Sequence, residues 1–284
     1  MVVTYSVAAA VVADLVGTAA WVEVLIPDGT DPHEWRASAK DLESLRRATV
    51  IVDNGLGLEA SLADAIEQAS ASGVIRFSLA DHVKVRTVGD EDAAGHENHA
   101  ETADGSDDGS DGGSDGGVRD PHLWTDPVTM RQWVAPLAEL LGRHGIDVQA
   151  NVAPLQAQLD RLDAEVAALI DAIPPPQRRL VTGHESLGYF AQRYGLELIG
   201  AVIPSFSSQA GAAAGALADL VAKTEQAGVR SIFAEAGTPA ATIDAVAQDA
   251  GVTVVALSTH ALPPDRTYAG FVRNLAVTIS GALT

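Results

Sequence analysis

The chain has 284 residues, 47% of them apolar, with 38 acidic against 18 basic side chains and a net charge of −20. That length suggests about two domains, and the charge argues against nucleic acid, whose phosphates call for clustered Lys and Arg; a cationic ligand suits such a field better. With no cysteine, disulfides, thiolate zinc sites and cysteine nucleophiles are excluded, so a transition metal could be held only by His and carboxylates.

In chain order, Val2–Val7 reads as a short strand and Ala9–Val16 as a helix ended by Gly17. Met1–Val12 is apolar but lacks the basic start and small-residue cleavage site of a signal peptide; an exported protein is expected to have lost its signal ahead of this sequence. Trp21–Ile26 is a second strand, Ser38–Ala48 a helix, Thr49–Val52 a strand, Leu58–Ala69 a helix with one apolar face, and Val74–Leu79 a strand. This alternation predicts a parallel sheet covered by helices. Between Gly89 and Gly117 stand ten acidic residues, no Lys or Arg, and His96 and His99. Such a stretch buries too little apolar surface to order itself, and is expected to be a mobile link or a weak extra zinc-recruiting segment. Val128–Arg143 reads as a helix.

Val148–Ala172 has the longest helical periodicity, from Val152 through Leu155, Leu159, Leu162 and Val166 to Ile170. At 1.5 Å per residue it would run about 37 Å before Pro174-Pro175-Pro176. Strands at Arg179–Thr182, Leu196–Val202, Val229–Phe233 and Val252–Leu257 then alternate with helices at Leu187–Tyr194, Ala212–Ala227 and Ala240–Ala250, and a helix over Thr267–Leu283 closes the chain. The expected fold is therefore α/β: two four-stranded parallel-sheet lobes, 1–147 and 174–284, joined by a long helix over 148–173. No apolar run reaches the length of a membrane span.

Four of the eight histidines fall in loops that follow strands or open helices, where open α/β sheets bind ligands. They are His33 in Asp31-Pro32-His33-Glu34-Trp35, His122 in Asp120-Pro121-His122-Leu123-Trp124, His184 in Thr182-Gly183-His184-Glu185-Ser186, and His260 in Ser258-Thr259-His260-Ala261-Leu262. Each half supplies two, so their side chains could meet in a cleft between the lobes. Proline stiffens the backbone before and at its own position, so the twin Asp-Pro-His motifs present their imidazoles from rigid segments. His82 has no such context. His144 sits near a helix end, where a cation offsets the dipole.

At these residues the chain resembles the metal-binding proteins of bacterial zinc and manganese ABC importers, and their zinc branch in particular. The stretches that carry the resemblance are Asp31–Trp35 with Ala39-Lys40-Asp41-Leu42, Val52–Glu59, Asp120–Pro127, Thr182–Phe190 and Ile232-Phe233-Ala234-Glu235. It implies one zinc ion in the cleft, export to the periplasm or outer membrane face, delivery to an ABC permease with a zinc metallochaperone as a further partner, and a monomer. His33, His122 and His184 match the family's first three ligands. A carboxylate is usual at the third position in the manganese branch, so His184 points to zinc. Where the family has an aspartate as fourth ligand this chain has His260, which is favoured over Asp265 or water. Neutral imidazoles leave the ion's charge uncompensated, so Glu34, Asp126, Glu185 and Glu235 are candidates to orient the rings from behind. Affinity should fall as pH drops through the His range. The competing expectations are a zinc hydrolase, which would keep an open coordination position, and a zinc buffer or adhesin that needs no permease.

Overall fold

The structure is a computed structural model that describes residues 1–88 and 117–284; His96 and His99 lie outside the described residues. In the first half, β1 (Val2–Tyr5) runs directly into α1 (Ser6–Val16). β2 (Glu23–Ile26), α2 (Ala39–Arg47), β3 (Val50–Asp53), α3 (Ala63–Ala71) and β4 (Ile75–Ser78) follow. Ser38 starts α2 with a capping box, its hydroxyl accepting from the Asp41 N–H while the Asp41 carboxylate accepts from the Ser38 N–H. The four strands form a parallel sheet in the order β2-β1-β3-β4. A two-stranded antiparallel hairpin that the periodicity does not reveal joins β5 (Thr87–Val88) to β6 (Val118–Arg119) across the acidic stretch.

The helix expected over Val128–Arg143 is divided into α4 (Pro127–Gln132) and α5 (Val134–Arg143). Pro136 accounts for the break. It has no N–H to give to the Gln132 carbonyl, and its ring would press on that carbonyl in a continuous helix. α6 (Gln149–Asp171) is the long helix, and it buries Val152, Leu155, Leu159, Leu162, Val166 and Ile170.

The second half contains β7 (Arg179–His184), α7 (Gly188–Tyr194), β8 (Glu197–Ile203), α8 (Ala214–Ala227), β9 (Ser231–Ala234), α9 (Ala240–Ala250), β10 (Thr253–Ala256) and α10 (Tyr268–Leu283). Its sheet is again parallel, in the order β10-β9-β7-β8. The two α/β lobes and the helix between them are thus as the alternation of the sequence implies.

The core shows how the lobes are tied. Each sheet has its own outer layer: Val2, Leu25, Leu45, Ile51 and Leu62 in the first, Val181, Val202, Ile232, Ile243 and Val246 in the second. The inner layer is one continuous cluster that runs from Val3, Val11 and Leu15 through Leu155, Leu159 and Leu162 of α6 to Leu180, Phe233, Phe271 and Leu275. α6 packs against α1, α4, α5 and α10, so it belongs to the core of both halves. Separating the lobes would expose apolar surface at about 25 cal/mol per Å², which opposes a wide hinge.

Candidate metal centre

Each of the two Asp-Pro-His segments is set by its aspartate. The Asp31 carboxylate accepts the His33 backbone N–H at 2.9 Å, and the Asp120 carboxylate accepts that of His122 at 3.0 Å. The same Asx-type turn thus presents both imidazoles. His33 follows β2; His122 follows β6; His184 is the last residue of β7; and His260 follows β10.

These loops bring three imidazoles together. His122 Nε2 lies 3.4 Å from His33 Nε2 and 3.2 Å from His184 Nε2, and the three ligand atoms are all within 4.8 Å of one another. A tetrahedral ion with bonds of about 2.0–2.1 Å to nitrogen holds its donors roughly 3.3–3.4 Å apart, which matches both separations. His122 and His184 are fully buried, while His33 is partly exposed.

His260 is a neighbour of this trio rather than part of it. Its ring lies 6.2 Å from that of His184, near parallel, and 5.6 Å from that of Trp124. It is buried, and its Nε2 has no hydrogen-bond partner, an uncommon state for a buried nitrogen. Asp265 is exposed and accepts the N–H of Thr267, the residue that caps α10. Of the two expected alternatives for a fourth donor, only His260 reaches the neighbourhood of the site. His82 stacks on Phe77 and His144 caps the end of α5.

Behind the trio stand carboxylates. Asp120 takes the His122 Nδ1–H at 2.8 Å and the Arg86 guanidinium at 3.1 Å. The proton of His122 is therefore on Nδ1, and a lone pair at Nε2 faces the other histidines. Glu235 Oε2 lies 3.4 Å from His184 Nδ1, in ion-pair range but outside hydrogen-bond geometry, and it also receives the Ser186 hydroxyl. Of the four carboxylates expected behind the rings, Glu235 is in contact with one of the three. Glu34 is exposed, and Asp126 caps α4 through the N–H groups of Val128 and Thr129. Glu185 is partly buried, directly after His184. Asp120 and Asp31 were open to detection in the sequence as the repeated first residue of the Asp-Pro-His motif, but that position reads as a turn former until its contacts are seen.

The second lobe closes over these carboxylates with glycine. A side chain at Gly188 would place its Cβ 2.4 Å from Arg86 Nη1 and from Asp120 Oδ2, and one at Gly237 would meet Asp31 Oδ2 at 2.1 Å. Ser208 donates to Asp31, and Tyr189 Oη donates to the Asp120 carbonyl. From the first lobe, buried Asn54 holds the His122 loop by donating to the Pro121 carbonyl at 2.8 Å. Its own N–H is taken by Glu59, whose carboxyl burial raises to about 7.

Burial moves the titration of the histidines out of their ordinary range. It lowers His33, and with the neighbouring imidazoles it pushes His122 and His184 well down; His260 falls to about 4, again by burial first. The carboxyls move the other way: burial raises Asp120 to about 7 against the pull of the His122 N–H and Arg86, and raises Glu235 to about 7 against its hydrogen bond from Ser186. Proton competition with a cation at this site therefore falls to the carboxylate–imidazole pairs, not to free histidines as their type alone implies.

The family model described as ZnuA, zinc-uptake complex component A, periplasmic, matches residues 1–282. The chain belongs to that family. Among ZnuA-family relatives, the zinc-binding protein TroA of Treponema pallidum is 27% identical over 226 residues, covering 78% of this chain and 65% of that protein. The high-affinity zinc uptake system protein ZnuA of Paracoccus denitrificans is 31% identical over 210 residues, covering 67% of this chain and 62% of that one. The chain thus spans just under two thirds of the length of each. The solved structure of the periplasmic zinc-binding protein TroA from T. pallidum superposes with a TM-score of 0.81 at 25% identity, covering 100% of this chain and 98% of that one.

Proposed function

We propose that this chain captures one zinc ion outside the cytoplasmic membrane, in the periplasm, and delivers it to an ABC permease. The observation that carries the reading is the approach of the three Nε2 atoms to tetrahedral spacing in a ZnuA-family fold. His33, His122 and His184 hold the ion. His260 completes the shell, since its ring lies 6.2 Å from that of His184 and its buried Nε2 has no partner. Residues 1–147 and 174–284 act as the two lobes and 148–173 as the strut between them. The continuous inner core limits the changes on zinc binding to small loop and lobe shifts. Binding rather than turnover is the reading that the match to a zinc-uptake component supports.

A chelator-competition titration tests this. One tight zinc per chain is expected, with manganese much weaker because imidazole-only sites favour zinc over the harder ion. His260→Ala should weaken zinc about ten- to hundredfold. Absence of a tight site in the unmodified chain would end the proposal. An unchanged affinity in the variant would return the fourth position to water. Asp120→Asn addresses the ring orientation of His122: loss of the carboxylate behind a zinc-bound imidazole is expected to lower affinity by about 10–100-fold, with the circular dichroism spectrum retained. An affinity within about twofold of the parent would show that Asp120 serves the turn alone.

A further inference from the structure

Between the lobes, a cavity of about 570 Å³ opens onto His33, the one partly exposed imidazole of the trio. That volume falls in the range of small organic ligands, roughly 300–1,000 Å³, and is far larger than a single ion needs. Its charge is also unexpected. In a chain of net charge −20, the access to a cation site carries Arg36 and Arg119 and not one carboxylate among the described lining residues. Both guanidinium groups are exposed, and among the described residues neither has an ion-pair partner. The remaining wall is neutral: Ser205, Ser207 and Gln209 offer hydrogen bonds, while Leu56 and Phe206 offer apolar surface. Leu56 is held at φ 58°, between Gly55 at 81° and Gly57 at 75°. A branched side chain in the left-handed region is costly, and such positions cluster at ligand clamps.

Carboxylates meet two planar donors at this mouth, suited to bidentate pairing. We infer that the cavity docks zinc as its complex with a small polycarboxylate, whose carboxylates Arg36 and Arg119 hold while His33 takes the ion. The inference rests on the zinc-binding reading above. The step is ligand exchange: zinc–oxygen bonds to the carrier break as zinc–nitrogen bonds to His33, then to His122 and His184, form. The carrier leaves as the free anion, and no electron is transferred. The imidazoles take the ion through their lone pairs, and any proton held by the carboxylate–imidazole pairs behind them passes to solvent.

The test compares loading rates of the zinc-free full chain from zinc citrate and from zinc bound by imidazole, an uncharged ligand. Tryptophan fluorescence is the readout, since the Trp124 ring lies 5.3 Å from that of His122. In Arg36→Ala/Arg119→Ala, loading from citrate should slow at least about tenfold, as expected for the loss of steering charges. Loading from imidazole should hold or rise, and equilibrium zinc affinity should be unchanged. The Arg36→Lys/Arg119→Lys pair should recover part of the citrate rate. Equal citrate rates in parent and alanine variant, or equal slowing with both carriers, would overturn the inference alone. If the parent loads zinc from neither carrier, the zinc reading falls and this inference with it; calorimetry with citrate on the zinc-free protein then reads the cavity by itself.

Discussion

Replacing His122 by alanine is expected to lower zinc affinity by about two to three orders of magnitude. Its Nε2 is the middle atom of the trio, 3.4 Å from His33 and 3.2 Å from His184, and its Nδ1 is anchored on buried Asp120. Zinc held by a full protein shell gains about 10–16 kcal/mol at neutral pH. Shared over four donors, that is roughly 2.5–4 kcal/mol each, which at 1.4 kcal/mol per decade gives the stated loss. His33 stands at the cavity and can be partly replaced by water; His122 is fully buried and cannot be replaced without a rearrangement. Chelator competition supplies the affinity, and thermal unfolding supplies an independent check, because the stabilisation by ligand follows RT ln(1 + [L]/Kd). A loss of less than about tenfold, in a variant that stays folded, would remove His122 from the metal's ligands.

The second large effect is in pH. In the zinc-free protein, burial holds the carboxyls of Asp120 and Glu235 near 7 and the rings of His122 and His184 well below their usual range. Each carboxylate–imidazole pair therefore takes up one proton as pH falls through about 7. The bound dication favours the ionised pair and expels that proton. Affinity is thus full above about pH 8 and lost as pH falls. The limiting slope is about two decades per pH unit, one for each pair, instead of the roughly four expected of four free histidines. Calorimetric titration in buffers of different ionisation enthalpy counts the protons directly. About two released near pH 6, falling to about one in Glu235→Gln, is the expected result. A release of three or four would place the titration on the imidazoles and refute the assignment.

This site shows where reading residues one by one succeeds. Twin Asp-Pro-His motifs and a histidine at the end of a strand are local features, written in the order of the chain. The roles of Asp120 and Glu235 are not local. One is legible as a turn former and the other as a strand end, and only the approach of the rings distinguishes them from Glu34 and Asp126, which face solvent or cap a helix. The arginines at the cavity mouth are likewise ordinary surface residues until Arg36 from before α2 and Arg119 from β6 are seen to line the same space.

The sequence by itself determined the two α/β lobes, the long helix and the histidines available for a site, because helical and strand periodicity and the proline turns depend on neighbours within a few positions. The tertiary structure decided that α6 is core to both lobes, that Pro136 splits the preceding helix, that three of the four histidines meet at metal spacing with His260 beside them, and which carboxylates stand behind the rings. Those outcomes depend on contacts between segments as much as 254 residues apart, such as Ser6 with His260. A buried group's protonation and partners follow from what closes over it, and that is a property of packing rather than of neighbours in the chain.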